Sequence, residues 1–216
     1  MNTPVPQNEA KRIKVLWQYD ILDTVPEELF DELADLAARI CGAPIALITL
    51  VDENRQWFKS NVGVSLKETG RDVSFCAHAI LQSDLFIIPD TTRDKRFKDN
   101  PFVTASPKIR FYAGAPLVSP DGHALGTLCV LDKVPRELNE DQKSALRILA
   151  RHVMTQLELR RHSLELVRVR SDRAKIEADL ARAKAEIVRL QKASKLSPVA
   201  KRATKGGPRR VGRYGA

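Results

Sequence analysis

From Asn139 to Ser197 the chain contains neither proline nor glycine, and a stretch that long without a breaker has one regular solution, a long helix. Asn139 followed by Gln142 marks its start as a capping box. Its apolar residues run in two phases. Leu146, Leu149, Val153 and Leu157 form a stripe for a folded domain to cover. Farther on, Leu166, Val169, Ile176, Leu180, Ala183, Ile187 and Leu190 repeat at heptad spacing, with Arg173 the one polar residue among the eight seam positions. Glu165, Asp172, Asp179 and Glu186 each precede a seam residue and would face Arg170, Glu177, Lys184 and Gln191 on a parallel partner, giving two attractive pairs and one repulsive. The same acids lie three residues before Arg168, Lys175, Arg182 and Arg189, as on a single helix with its own ion pairs. Such pairs contribute only about 0.2–0.5 kcal/mol each and leave the seam wet, so a homodimer is the preferred expectation.

The remaining residues suffice for one domain of about 150 residues, which buries roughly 70% of its unfolded surface. With 43% hydrophobic residues, disorder throughout is excluded. The longest apolar stretch, 43–51, is broken by Pro44 and Thr49 and falls short of the roughly 18 residues that span a bilayer, so no membrane association is expected. The opening MNTPVPQNEA lacks the pattern of a secretory signal, and Cys41, Cys76 and Cys129 cannot all pair. A reducing cytoplasm is the expected location. The net charge of +9 is uneven: residues 193–216 carry seven basic residues and no acid, and nine minus seven leaves +2 for the rest. Nucleic acid is therefore expected to interact only through this basic tail, which is expected to be disordered.

Along the body, Thr24 with Glu27 reads as the cap of a helix whose apolar residues are Leu29, Phe30, Leu33, Leu36, Ala37 and Ile40, with Gly42 as its stop. A weaker stripe of Ala10, Ile13, Leu16 and Trp17 points to a helix before it. IALITLV (45–51) reads as a buried strand with RQWFKSNVG (55–63) as its hairpin partner, and 74–81 as a short helix. LFIIP (85–89), 110–118 and 124–131 read as further strands, the last two joined at Asp121-Gly122. This order is α+β with an antiparallel sheet.

The strings LDTVPEELFDELADLAARICGAPIALITLVDENRQWFKSNVG, RDVSFCAHAIL, RFYAGAPLV and DGHALGTLCVLD, in this order, resemble the GAF domain found at the front of bacterial sensor kinases and cyclic-dinucleotide cyclases. The resemblance covers about residues 8–155. It implies a GAF/PAS-like fold, with an antiparallel sheet, helices on one face, a ligand pocket on the other, and dimers through terminal helices. It supplies no ligand or cofactor. The organisation expected is a sensory domain over 1–155, a signalling coiled coil over 140–192 and the tail over 193–216. No phosphoacceptor helix or cyclase signature follows the coil, so output is expected through a partner protein.

Cys76 and His78 are the most enzyme-like pair, because an imidazole can activate a thiol. Residues two apart on a helix point in different directions, so a buried cysteine and a satisfied histidine is the simpler reading. Cys41 and Cys129 read as core residues. The methionine sulfoxide reductases of the family use loop cysteines, and residues 90–110 hold none, so the expectation is of a sensor without enzymatic activity, the alternative being a coiled-coil adaptor or a weak nucleic-acid binder through the basic tail. Candidate ligand-binding residues are Trp57, Phe58, Phe75, Cys76, His78, Asp90, Arg96, Phe111 and Tyr112, because aromatic residues and inward-capable polar groups concentrate between 57 and 112. Candidate dimerisation residues are Val169, Ile176, Leu180, Ala183, Ile187 and Leu190.

Overall fold

The computed structural model describes residues 5–196. Residues 197–216, the greater part of the basic tail, lie outside them, and with them the expectations of a disordered tail and of nucleic-acid binding. Six strands form one sheet: β1 (Ile45–Val51), β2 (Arg55–Val62), β3 (Glu68–Gly70), β4 (Phe86–Ile88), β5 (Phe111–Val118) and β6 (Ala124–Asp132). Their order is β3-β2-β1-β6-β5-β4, and every neighbouring pair is antiparallel. The α+β expectation therefore holds, with the short edge strand β3 added.

Strand alternation divides the interior into two cores. Ala46, Ile48 and Leu50 of β1 face the helices α1 (Glu9–Trp17), α2 (Glu28–Cys41) and α5 (Glu140–Leu196), whose contribution includes Leu16, Phe30 and Leu146. Ile45, Leu47 and Val51 face the opposite way, toward α3 (Cys76–Ala79), α4 (Pro101–Thr104) and the segments beside them. The long helices thus share one sheet face, and the short ones cover the other.

Two helix readings need correction. In α2 the buried residues are Phe30, Ala34, Ala37, Ala38 and Cys41, whereas Leu29, Leu36 and Ile40 are exposed. Three inward alanines let the helix backbone lie close to the sheet, which displaces the larger side chains from that stripe. Thr24 does not cap α2 either: its hydroxyl donates to the Ile21 carbonyl at 2.7 Å, and Glu27 occupies the cap position without a side-chain bond to the backbone. Gly42 does end the helix, at a left-handed φ of 59°. In α1, Trp17 is exposed and Arg12 is buried. Arg12 donates to Glu9 and to the Val51 carbonyl, each at 2.7 Å, so a charged residue joins the helix to the sheet.

The start of α5 follows the sequence reading: Asn139 and Gln142 exchange backbone-to-side-chain bonds of 2.8 and 3.1 Å. Leu146, Leu149, Val153 and Leu157 are buried. One compact unit ends at Leu164 and a second begins at Glu165. In the second, the seam residues Leu166, Val169, Ile176, Leu180, Ala183, Ile187 and Leu190 are exposed on the single chain. Arg173 pairs with Glu177 at 2.8 Å and Arg182 with Asp179 at 3.5 Å.

Candidate functional site

Beneath α3, the sheet face carries an apolar cavity of about 60 Å³. Leu47, Phe58, Tyr112, Cys129 and Leu131 supply its sheet wall, and Phe75, Cys76, Phe102 and Pro107 close it from the other side. Its construction is local. Ser74 accepts from the Ala77 amide at 3.0 Å, beginning α3, and its hydroxyl donates to Gln56 of β2. Asn100 accepts from the Phe102 amide at 2.9 Å, capping α4, and donates at 2.9 Å to the Val73 carbonyl, which fastens α4 to the turn before α3. Phe75 stacks on Phe97 and on Tyr112, with centroids 4.7 and 5.3 Å apart. Thr69 also lines the cavity, and its buried hydroxyl has no hydrogen-bond partner among the described residues.

Four of the nine sequence candidates meet here: Phe58, Phe75, Cys76 and Tyr112. Trp57 and Phe111 belong to the core on the other side of the sheet, because each immediately precedes in its strand a residue that faces the cavity. His78, Asp90 and Arg96 lie off the cavity lining. His78 sets its ring edge against Phe97 at 4.7 Å, and burial followed by the Arg96 charge holds its pKa below the usual value. Arg96 lies 4.8 Å from the Phe86 ring centre and pairs with Asp94. Asp90 accepts from the Thr92 amide and hydroxyl. Asp90 and Arg96 thus bond within the 90–97 segment, and His78 packs against its Phe97.

What the sequence reading missed is that Cys129, Thr49 and Thr127 gather beside Cys76 and Tyr112. Cys76 and Cys129 approach to 3.8 Å between sulfurs, the Tyr112 hydroxyl donates to Cys76 at 3.3 Å, and the Thr49 and Thr127 hydroxyls lie 3.2 Å apart on the same sheet face. The signal was present in the alternation, since 49 in β1 and 127 and 129 in β6 take the cavity-facing phase.

A β-bulge links this region to α5. The β1–β2 register passes from Ile48↔Ser60 to Thr49↔Phe58, so Lys59 is the extra residue and turns with Ser60 toward α2. Buried Lys59 donates to Glu27 at 2.6 Å, and Arg160 of α5 donates to the same carboxylate at 3.1 Å. Two larger clefts, of about 260 and 360 Å³, lie elsewhere: the ion pair of Asp84 with Arg147 lines the first, and Lys59, paired with Glu27, lines the second.

Two cores on one antiparallel sheet, with a cavity under a short helix, match a known domain: a profile of the GAF domain covers residues 25–157. The chain belongs to the GAF domain family. GAF membership supports a sensory or regulatory role. Among solved structures, the GAF domain region of a membrane protein from Geobacter sulfurreducens is similar, with 20% identity, a TM-score of 0.51, and coverage of 69% of this chain and 97% of that one. A free methionine-R-sulfoxide reductase from Neisseria meningitidis has 15% identity, a TM-score of 0.52, and coverage of 76% and 98%. Both likenesses concern the fold.

Among curated proteins, a cyclic di-GMP phosphodiesterase of Pseudomonas aeruginosa is 43% identical over 155 residues, which are 71% of this GAF chain and 26% of that protein. The chain thus spans about a quarter of the relative's length. The expectation of a sensor without enzymatic activity is corrected by this match, because the relative carrying the similar GAF segment is named as an enzyme. No helix among the described residues is long and apolar enough to cross a membrane.

Proposed function

We propose that this GAF domain binds a small molecule in the cavity beneath α3, and that occupancy biases α5 and so regulates hydrolysis of a cyclic dinucleotide. The observation that carries the binding step is the unpartnered Thr69 hydroxyl in a largely apolar cavity. A buried hydroxyl left without a partner costs roughly 1–3 kcal/mol, which a ligand's polar atom would recover. At about 60 Å³ the space is less than half of the roughly 150 Å³ that accepts benzene. The occupant is therefore a compact molecule, or one small group of a larger ligand.

The relay runs through Phe58, which lines the cavity, to its neighbour Lys59, and on through Glu27 to Arg160 of α5. A ligand that favours one arrangement of this chain shifts the helix, whereas equal affinity for two arrangements shifts nothing. The apolar heptads from Leu166 to Leu190 would carry the bias outward in a parallel homodimer, and a signalling partner would receive it. The phosphodiesterase match supports the choice of output, which comes from the same or another chain.

Native mass spectrometry of freshly purified chain tests the reading. A dimer retaining a small molecule, with melting raised by that molecule, is expected. A bare monomer whose melting no small metabolite changes would overturn it.

A further inference from the structure

Cys76 at the start of α3 and Cys129 in the middle of β6 are 53 residues apart in sequence, yet their sulfurs lie 3.8 Å apart. Both line the cavity, and both are free thiols. The side chains acting on the pair are neutral: Tyr112, Thr49 and Thr127. This chemistry discriminates between uses of a dithiol. Among the described residues no third His, Cys, Asp or Glu joins the pair, so a metal ion there would lack the three or four protein ligands that its sites use. A disulfide needs only the two sulfurs.

We propose that Cys76 and Cys129 form a redox modification site, closing an internal disulfide when a hydroperoxide enters the cavity. Cys76 is the attacking sulfur. Its thiolate bonds to one peroxide oxygen, the O–O bond breaks, and the departing oxygen leaves as water, or as an alcohol from an alkyl hydroperoxide, with the proton Cys76 gave up. Cys76 is then a sulfenic acid. The Cys129 sulfur attacks it, the S–O bond breaks, and the hydroxyl leaves as water with the Cys129 proton. Two thiols lose one electron each and the peroxide gains two. The sulfurs close from 3.8 Å to a bond of about 2.05 Å.

The surroundings assign these roles. Burial raises a thiol's pKa, but at Cys76 hydrogen bonds from Cys129, Thr127, Thr49 and Tyr112 overcome it and lower the value. At Cys129, burial and the adjacent Cys76 act together and raise it. The Tyr112 hydroxyl, donating to Cys76 at 3.3 Å, favours negative charge on that sulfur and leaves Cys129 as the resolving thiol beside it. Cys41 lies in the other core, where burial pushes its thiol up to about 11, so it serves as an internal control. Tyr112 acts as a positioning residue through the hydrogen bond that its hydroxyl donates to Cys76.

The full chain, reduced and then exposed to a small excess of hydrogen peroxide, tests the site by thiol titration after denaturation and by tryptic mapping. The thiol count is expected to fall from three to one, with peptide 72–93 joined to 111–133 and the Cys41 peptide unmodified. Tyr112→Phe is expected to form the same cross-link about tenfold more slowly, because one hydrogen bond to the thiolate is lost. Cys129→Ala is expected to leave a sulfenic acid on Cys76 that dimedone traps. The wild-type mapping needs no variant to fold. Three thiols surviving the peroxide, or a cross-link through Cys41 or between chains, would overturn the proposal.

Discussion

The buried Nζ of Lys59 ends 2.6 Å from a Glu27 oxygen, and the same oxygen receives Arg160 of α5 at 3.1 Å. One carboxylate thereby ties the bulge beside the cavity to the C-terminal helix. Burial works to raise the Glu27 pKa, but the Lys59 and Arg160 contacts outweigh it, and the value falls below the ordinary 4.5. A carboxylate with a depressed folded pKa contributes stability that is present above 4.5 and is lost as pH falls through the lower folded value. Glu27→Gln is therefore expected to melt lower at pH 7, by about 1–2 kcal/mol given that Glu27 is over a third exposed. Below 4.5 the wild-type advantage should shrink toward zero in denaturation curves measured against pH.

Gly114 lies beneath the Tyr112 side chain, and a methyl group there would collide with the tyrosine hydroxyl. Gly114→Ala is expected to lose about 1–3 kcal/mol by overpacking. It should also separate Tyr112 from Cys76, which ultraviolet difference spectra of the tyrosine would register. Unchanged melting and spectra would contradict this placement.

At the head of α5, Asn139→Ala removes one half of the reciprocal cap. A loss of about 1 kcal/mol is expected in urea denaturation, with the slope unchanged.

Ile176→Asp with Leu180→Asp would place four carboxylates in the proposed dimer seam, at a cost of several kcal/mol. Light scattering at tens of micromolar should report a dimer for wild type and a monomer for the double variant. A monomeric wild type would remove the coil from the relay.

The elements most legible in sequence were those with an uninterrupted period and a local stop. The capping box of Asn139 and Gln142 and the left-handed Gly42 are examples. The alternation that separates Trp57 from Phe58 and Phe111 from Tyr112 was equally legible, but grouping aromatic residues by stretch of chain overrode it. In α2 hydrophobicity pointed to Leu29, Leu36 and Ile40, and only the distance of the helix from the sheet selects the alanines. The Lys59 bulge and the meeting of Cys76 with Cys129 depend on strand pairing and helix docking, so no local pattern carried them.

Ligand-observed NMR with a library of compact fragments decides whether the cavity beneath α3 is a binding site. Val73 lies on the cavity lining, so Val73→Phe should narrow the space while the rest of the domain keeps its fold. Fragments that bind wild type and raise its melting temperature, and that are lost in a Val73→Phe variant with an intact circular dichroism spectrum, are the predicted result. Fragments that bind both proteins alike, or a wild type that binds none, would mean that the cavity is not a ligand site.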